Sequence, residues 1–166
     1  MKKIAAVILA AVCAISAGGC SAKKEREQGK IYTAKVGEVQ ENTYFSTVVN
    51  SVRFSESEGG YVPNEGNEFV CVDLTVENST ETAIPMGCYD FYIRWGEGAS
   101  ERDKAVYEDG LAWDMYDLEF LLDAGRSYTA TLYFAVPVGK RDALQLVYEE
   151  YFDDDFVGCT YVVELT

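Results

Sequence analysis

The sequence predicts an all-β protein, an antiparallel β-sandwich of about seven strands, and three observations carry that expectation. Apolar residues recur at every second position in several separate runs, the period of a strand with one buried face. Clusters of Gly, Pro, Asn, Asp and Ser separate those runs at short intervals. Beyond the amino-terminal segment, no stretch holds a 3.6-residue period over the length of an ordinary helix.

The strands follow in order. Ile31 to Val39 is expected to be a short first strand. Tyr44 to Phe54 (YFSTVVNSVRF) is a longer one, rich in β-branched and aromatic residues, whose alternation breaks around Asn50 and predicts a bulge or twist there. Ser55 to Asn67 is loop, punctuated by Gly59-Gly60 and Pro63-Asn64. Glu68 to Thr80 (EFVCVDLTVENST) is the central strand, with Val70, Val72, Leu74 and Val76 on one face and a turn-capping Asn78-Ser79-Thr80 at its end. Pro85 marks Glu81 to Met86 as a sheet edge. In Tyr89 to Trp95, Phe91, Ile93 and Trp95 share one face, with Tyr92 and Arg94 on the other. Gly96 to Asp103 reads as a turn, and Ala105 to Leu122 as loop with room for one helical turn. Arg126 to Val136 alternates strongly, placing Tyr128, Ala130, Leu132, Phe134 and Val136 together. Asp142 to Phe152 and Gly158 to Leu165, joined through Asp153-Asp154-Asp155, read as a terminal hairpin.

Residues 1–19 have the layout of an export signal: Lys2 and Lys3, an uncharged apolar run from Ile4 to Ile15, then small residues. The run is too short to span a bilayer, which takes about 20 apolar residues. The segment Ala17-Gly18-Gly19-Cys20 resembles a bacterial lipobox, although Ala17 stands where a larger aliphatic is usual. That resemblance implies lipidation of Cys20 by more than one acyl chain, which gives stable anchoring where a single chain does not. An ordinary secretory signal with a coincidental cysteine is the alternative, and an uncleaved anchor a rarer one. Residues 20–30 then form a lipidated cysteine and a charged tether, and residues 31–166 the domain. The expected location is the extracytoplasmic face of a cell membrane, held by the lipid anchor.

From Ile31 onward the chain carries 8 basic and 26 acidic side chains. Such a surface repels nucleic acid, so no nucleic-acid partner is expected. Within the 166 residues there is no histidine, so a Ser–His or Cys–His nucleophile has no base, and no phosphate-cradling glycine loop occurs. The sequence therefore predicts no enzyme and no cofactor. Of the cysteines beyond Cys20, Cys71 lies inside the central strand, and Cys88 with Cys159 is the expected pair if a bridge forms. Glu149, Asp153, Asp154 and Asp155 are the candidate weak cation (calcium) ligands. Their spacing lacks the alternating acid pattern of a dedicated calcium loop, and a solvated acidic turn is the preferred reading. The tyrosines at Tyr61, Tyr92, Tyr107, Tyr116 and Tyr151 fall in loops or on polar faces, where the preferred reading is the ordinary tyrosine richness of sandwich faces; Tyr107, Trp113 and Tyr116 are the candidate partner surface.

Three stretches together resemble a family of bacterial extracellular lipoprotein domains of unknown function: Val70 to Glu81 (VCVDLTVENSTE), Ala124 to Pro137 (AGRSYTATLYFAVP) and Leu144 to Tyr148 (LQLVY). Here Ala124 replaces the family's usual proline before Gly125. The resemblance implies an immunoglobulin-like sandwich related to secreted immunoprotective antigens, and it brings no catalytic residues. A telomeric repeat-binding label sometimes given to that family is at odds with the acidic charge and the export signal. The expected function is a non-catalytic, membrane-anchored binding module for a protein partner or envelope component. A small-ligand or cation-binding module is the alternative.

Overall fold

The computed structural model describes residues 28–96, 100–153 and 156–166. Its strands are β1 (Ile31–Lys35), β2 (Val39–Glu41), β3 (Phe45–Ser55), β4 (Asn67–Asn78), β5 (Ile84–Met86), β6 (Phe91–Trp95), β7 (Glu101–Lys104), β8 (Phe120–Leu122), β9 (Ser127–Pro137), β10 (Gln145–Asp153) and β11 (Phe156–Glu164). They form a β-sandwich. One sheet has the order β1-β11-β10-β6-β7 and the other β2-β3-β4-β9, with β5-β8 as a separate pair. Pairing is antiparallel except that β1 runs parallel to β11. Among the described residues eleven strands stand where about seven were expected, because β2, β5, β7 and β8 have three or four residues each, too few to display a period.

The first expected strand is two. Ile31–Lys35 joins one sheet and Val39–Glu41 the other, and the crossing turn contains Gly37 at φ 83°. The two inner faces supply the core. Val70, Val72, Leu74 and Val76 from β4 meet Ala130, Leu132, Phe134 and Val136 from β9 and Phe91, Ile93 and Trp95 from β6. All four β4 residues are fully buried, each contributing about 1.5–3 kcal/mol. Asn50 is the extra residue of a bulge in β3, where pairing passes from Val49↔Leu74 to Ser51↔Asp73. The bulge resets the alternation so that Val52 and Phe54 also lean on the core.

Two buried polar side chains fasten loops to this frame. Asn78 Nδ2 donates to the carbonyls of Thr82 (2.7 Å) and Leu122 (2.8 Å), while its Oδ1 accepts from Thr80 N (2.8 Å) and Thr80 Oγ1 (2.7 Å). The turn predicted at Asn78 is thus also an anchor for the β5-β8 pair. Glu150 accepts from Thr43 N (2.8 Å), Tyr161 OH (3.0 Å) and Cys159 N (3.3 Å). The last of these lies where the β10–β11 register slips, so the carboxylate serves an amide displaced from the regular ladder.

The Ser55–Gly66 loop is fixed by close backbone approach. Gly59 has φ +54°, and a Cβ there would stand 2.0 Å from the Leu111 carbonyl oxygen. Gly59→Ala is expected to cost about 3 kcal/mol, from a left-handed conformation plus overpacking. Gly60 at φ +90° faces open space, so Gly60→Ala should cost only about 1 kcal/mol. Urea unfolding of the two variants checks this, and equal losses would mean that the loops do not touch.

Candidate functional site

The segment from Ala105 to Asp117 crosses from β7 in one sheet to β9 in the other. It is sewn to the edge of β9: Val106 N donates to Tyr133 O (2.7 Å), Tyr116 N to Thr131 O (2.8 Å) and Thr131 N to Asp114 O (2.7 Å). The Asp114 carboxylate accepts from Thr131 Oγ1 (3.0 Å) and Tyr133 OH (2.9 Å). Leu111, fully buried, packs with Phe69, Cys71 and Tyr133 on the outer face of β4 and β9, making a second small core. Beneath it, Arg53 pairs with Glu58 and donates to Tyr133 OH (3.2 Å), and the Cys71 thiol approaches Glu58 at 3.9 Å. The guanidinium holds the Glu58 carboxyl below its ordinary range, while burial pushes the Cys71 thiol up to about 12. That thiol is structural, because the thiolate is the nucleophilic form.

The three expected partner residues separate on this crossover. Trp113 is 97% exposed, between buried Leu111 and the Asp114 clamp. Tyr107 is half-buried and packs against the inter-sheet core. Tyr116 corrects the expectation: it is fully buried, with Phe91, Phe120 and Tyr128 edge-on at 6.0, 5.5 and 5.3 Å. The strand-like bridge of the preceding Met115 to Thr131 of β9 turns the Tyr116 ring inward, and loop composition gives no sign of that pairing.

The other surface lies on the outer face of β10, β6 and β7. Tyr89, Tyr92 and Tyr151, with Arg102, Lys104 and Glu149, line a depression of about 590 Å3. Tyr92 OH donates to one Glu149 oxygen and Tyr151 OH to the other, both at 2.7 Å. Burial and the Glu149 carboxylate push the Tyr92 phenol up to about 12. The Arg102 guanidinium lies 5.2 Å from the Tyr92 ring centroid and Lys104 Nζ 5.5 Å from that of Tyr89. Arg94 donates to Gln145 Oε1 (2.7 Å). Tyr92 and Arg94 were legible as an outward pair, but Arg102 and Lys104 were not, because β7 reads as a charged turn with every residue exposed.

Of the candidate cation ligands, Glu149 is committed to the two tyrosine hydroxyls. Asp154 and Asp155 lie outside the described residues, as does the side chain of Asp153. Among the described residues no three Cys, Asp or Glu side chains converge as metal ligands. The Cys88–Cys159 bridge is absent: both are buried thiols, as is Cys71. Cys88 precedes β6 and Cys159 lies in β11, with β10 between them. Two strand spacings come to about 9.6 Å, beyond disulfide reach. Burial pushes the Cys88 thiol up to about 11. Cys20, the expected lipidation site, lies outside the described residues.

Residues 34–157 match the family model described as a domain of unknown function, DUF4352. No curated protein matches the chain in sequence. The fold is similar to that of the yjhA protein from Bacillus subtilis, at 21% identity and a TM-score of 0.63, over 80% of this chain and 99% of that one. It is also similar to a putative lipoprotein, ycdA, from Bacillus subtilis subsp. subtilis str. 168, at 13% identity and a TM-score of 0.58, over 76% of this chain and 38% of that one. A third likeness is an uncharacterized β-sandwich protein from Clostridium difficile 630, at 18% identity and a TM-score of 0.53, over 87% and 99% of the two chains. At these identities the likeness establishes the fold.

Proposed function

We propose, for a chain that belongs to the DUF4352 family of domains of unknown function, that it is a lipid-anchored, extracytoplasmic, non-catalytic module that docks a protein partner through Trp113. The observation that carries this reading is an indole 97% exposed on a segment braced on both sides. A tryptophan side chain buries about 150–250 Å2 when covered, and tryptophan is over-represented among residues that dominate interface energy. Fixed flanks hold down the ordering cost of binding. The anchor rests on the lipobox-like Ala17–Cys20, with a fold neighbour of the same class in support. The non-catalytic reading rests on the absence of histidine from the sequence and on the thiols of Cys71 and Cys88 being held protonated by burial.

The test is affinity capture of the tagged full-length protein from mild-detergent membranes, beside Trp113→Ala and Cys20→Ala. Trp113→Ala is expected to leave the melting temperature unchanged, since the ring touches little, and to reduce a stoichiometric partner at least tenfold. Cys20→Ala should lower recovery by removing the protein from the membrane. A partner captured equally by Trp113→Ala would end the assignment to this residue.

A further inference from the structure

The geometry points to a second binding site, on the opposite sheet from Trp113, for an anionic carbohydrate. It lies on the outer face of β6, β7 and β10. Three of the 8 basic side chains beyond residue 30, Arg94, Arg102 and Lys104, share this face of two adjoining strands, in a domain carrying 26 acids. The register sets Arg94 opposite Arg102, and like charges directly opposed across strands are destabilising. Arg53 and Arg141 are paired with Glu58 and Glu68. Among the described residues, by contrast, no carboxylate lies within ion-pair distance of Arg94, Arg102 or Lys104.

The acids nearby are otherwise engaged. Both Glu149 oxygens accept tyrosine hydroxyls, and Asp90 accepts the Gly87 N–H (2.8 Å). Asp90 and Asp103 also line the depression, and Asp103 accepts the Lys104 N–H (2.8 Å). Arg94, Arg102 and Lys104 thus stand without an ion-pair partner among the described residues, and a bound anion would supply one. A guanidinium suits either a carboxylate or a phosphate, through paired N–H donors.

The rest of the wall selects the ligand's other part. Tyr89 and Tyr151 are 47% and 64% exposed, and the depression of about 590 Å3 lies within the range of small-molecule sites. Ring faces edged by hydroxyls and charges suit a molecule with an apolar face and polar rim. A sugar ring has that form. The tyrosines would stack on it while Arg102 and Lys104 hold its acidic group.

Isothermal titration of the full-length protein in detergent, with trigalacturonic acid and with glucose 6-phosphate, separates a carboxylate from a phosphate source. The methyl ester of trigalacturonic acid and hexaglutamate are the controls. At least one anionic sugar is expected to bind, more weakly as salt rises. Arg102→Gln with Lys104→Gln should lower that affinity tenfold or more. The unliganded double variant should melt no lower than the parent, since an opposed charge has gone. Tyr89→Ala should weaken binding with the charges intact, and Trp113→Ala should bind normally, separating this site from the protein-docking one. Failure of both sugars to bind would overturn the proposal. So would equal binding by the ester or the double variant, and tighter binding of hexaglutamate would make the site one for an acidic peptide.

Discussion

Replacing Tyr116 with alanine is expected to cost about 3–5 kcal/mol, the range for removing a large buried aromatic. Domains of this size are held by about 5–15 kcal/mol in all, so that single change would remove a large share. The ring is fully buried where β6, β8 and β9 converge, and it meets Phe91, Phe120 and Tyr128 edge-on. The hydroxyl behaves differently. It has no hydrogen-bond partner among the described residues, and burial raises its pKa, so it stays neutral. Tyr116→Phe should therefore be neutral or stabilising by about 1 kcal/mol, since a buried unpaired polar group is removed while the ring stays. Urea unfolding of the two variants gives the sign of each change. A phenylalanine variant as damaged as the alanine one would show that the hydroxyl is satisfied after all.

Glu150→Ala is expected to be the second large loss, again about 3–5 kcal/mol. The residue is 1% exposed and its two oxygens serve three donors: Thr43 N, Tyr161 OH and Cys159 N. Breaking hydrogen bonds to a buried charged group costs about 1.5–3 kcal/mol each, and part of that is recovered where the chain relaxes toward water. The contacts join the turn before β3 to strands more than a hundred residues later, so their loss should loosen the β2–β3 turn and the middle of β11 together. Glu150→Gln should fall between, because its amide oxygen can keep some donors while its NH2 faces another. Hydrogen exchange at Thr43 and Cys159 separates the strap from a general loss of stability. Unchanged protection in a destabilised Glu150→Ala would show that the carboxylate does not hold those amides.

Much of the frame was legible from local pattern. The inward faces of β4, β6 and β9 follow from period two, and Asn50 betrayed its bulge by breaking that period. Asn78 was legible as a turn residue but not as the anchor of a distant pair, since its partner at Leu122 is 44 positions away. Tyr116 was misjudged because a crossover with a single strand-like bridge has too few residues to show which way a ring points. The same limit hid β7. Its four exposed residues look like a turn until β6 pairs with them and turns Arg102 and Lys104 into a face.

What the sequence determined alone is what each residue can declare within a few neighbours: the all-β class, the main strands with their buried faces, the acidic surface and the export-like start. What the tertiary structure decided is everything that depends on which strand lies beside which. That includes the thiol state of Cys88 and Cys159, set apart by β10, and the burial of Tyr116 beside an exposed Trp113. It also includes the meeting of Arg94 with Arg102. The physical reason is that alternation fixes only which side of a strand a residue occupies. Whether that side meets solvent, a core or another charge is set by register between segments distant in the chain, and no local period records it.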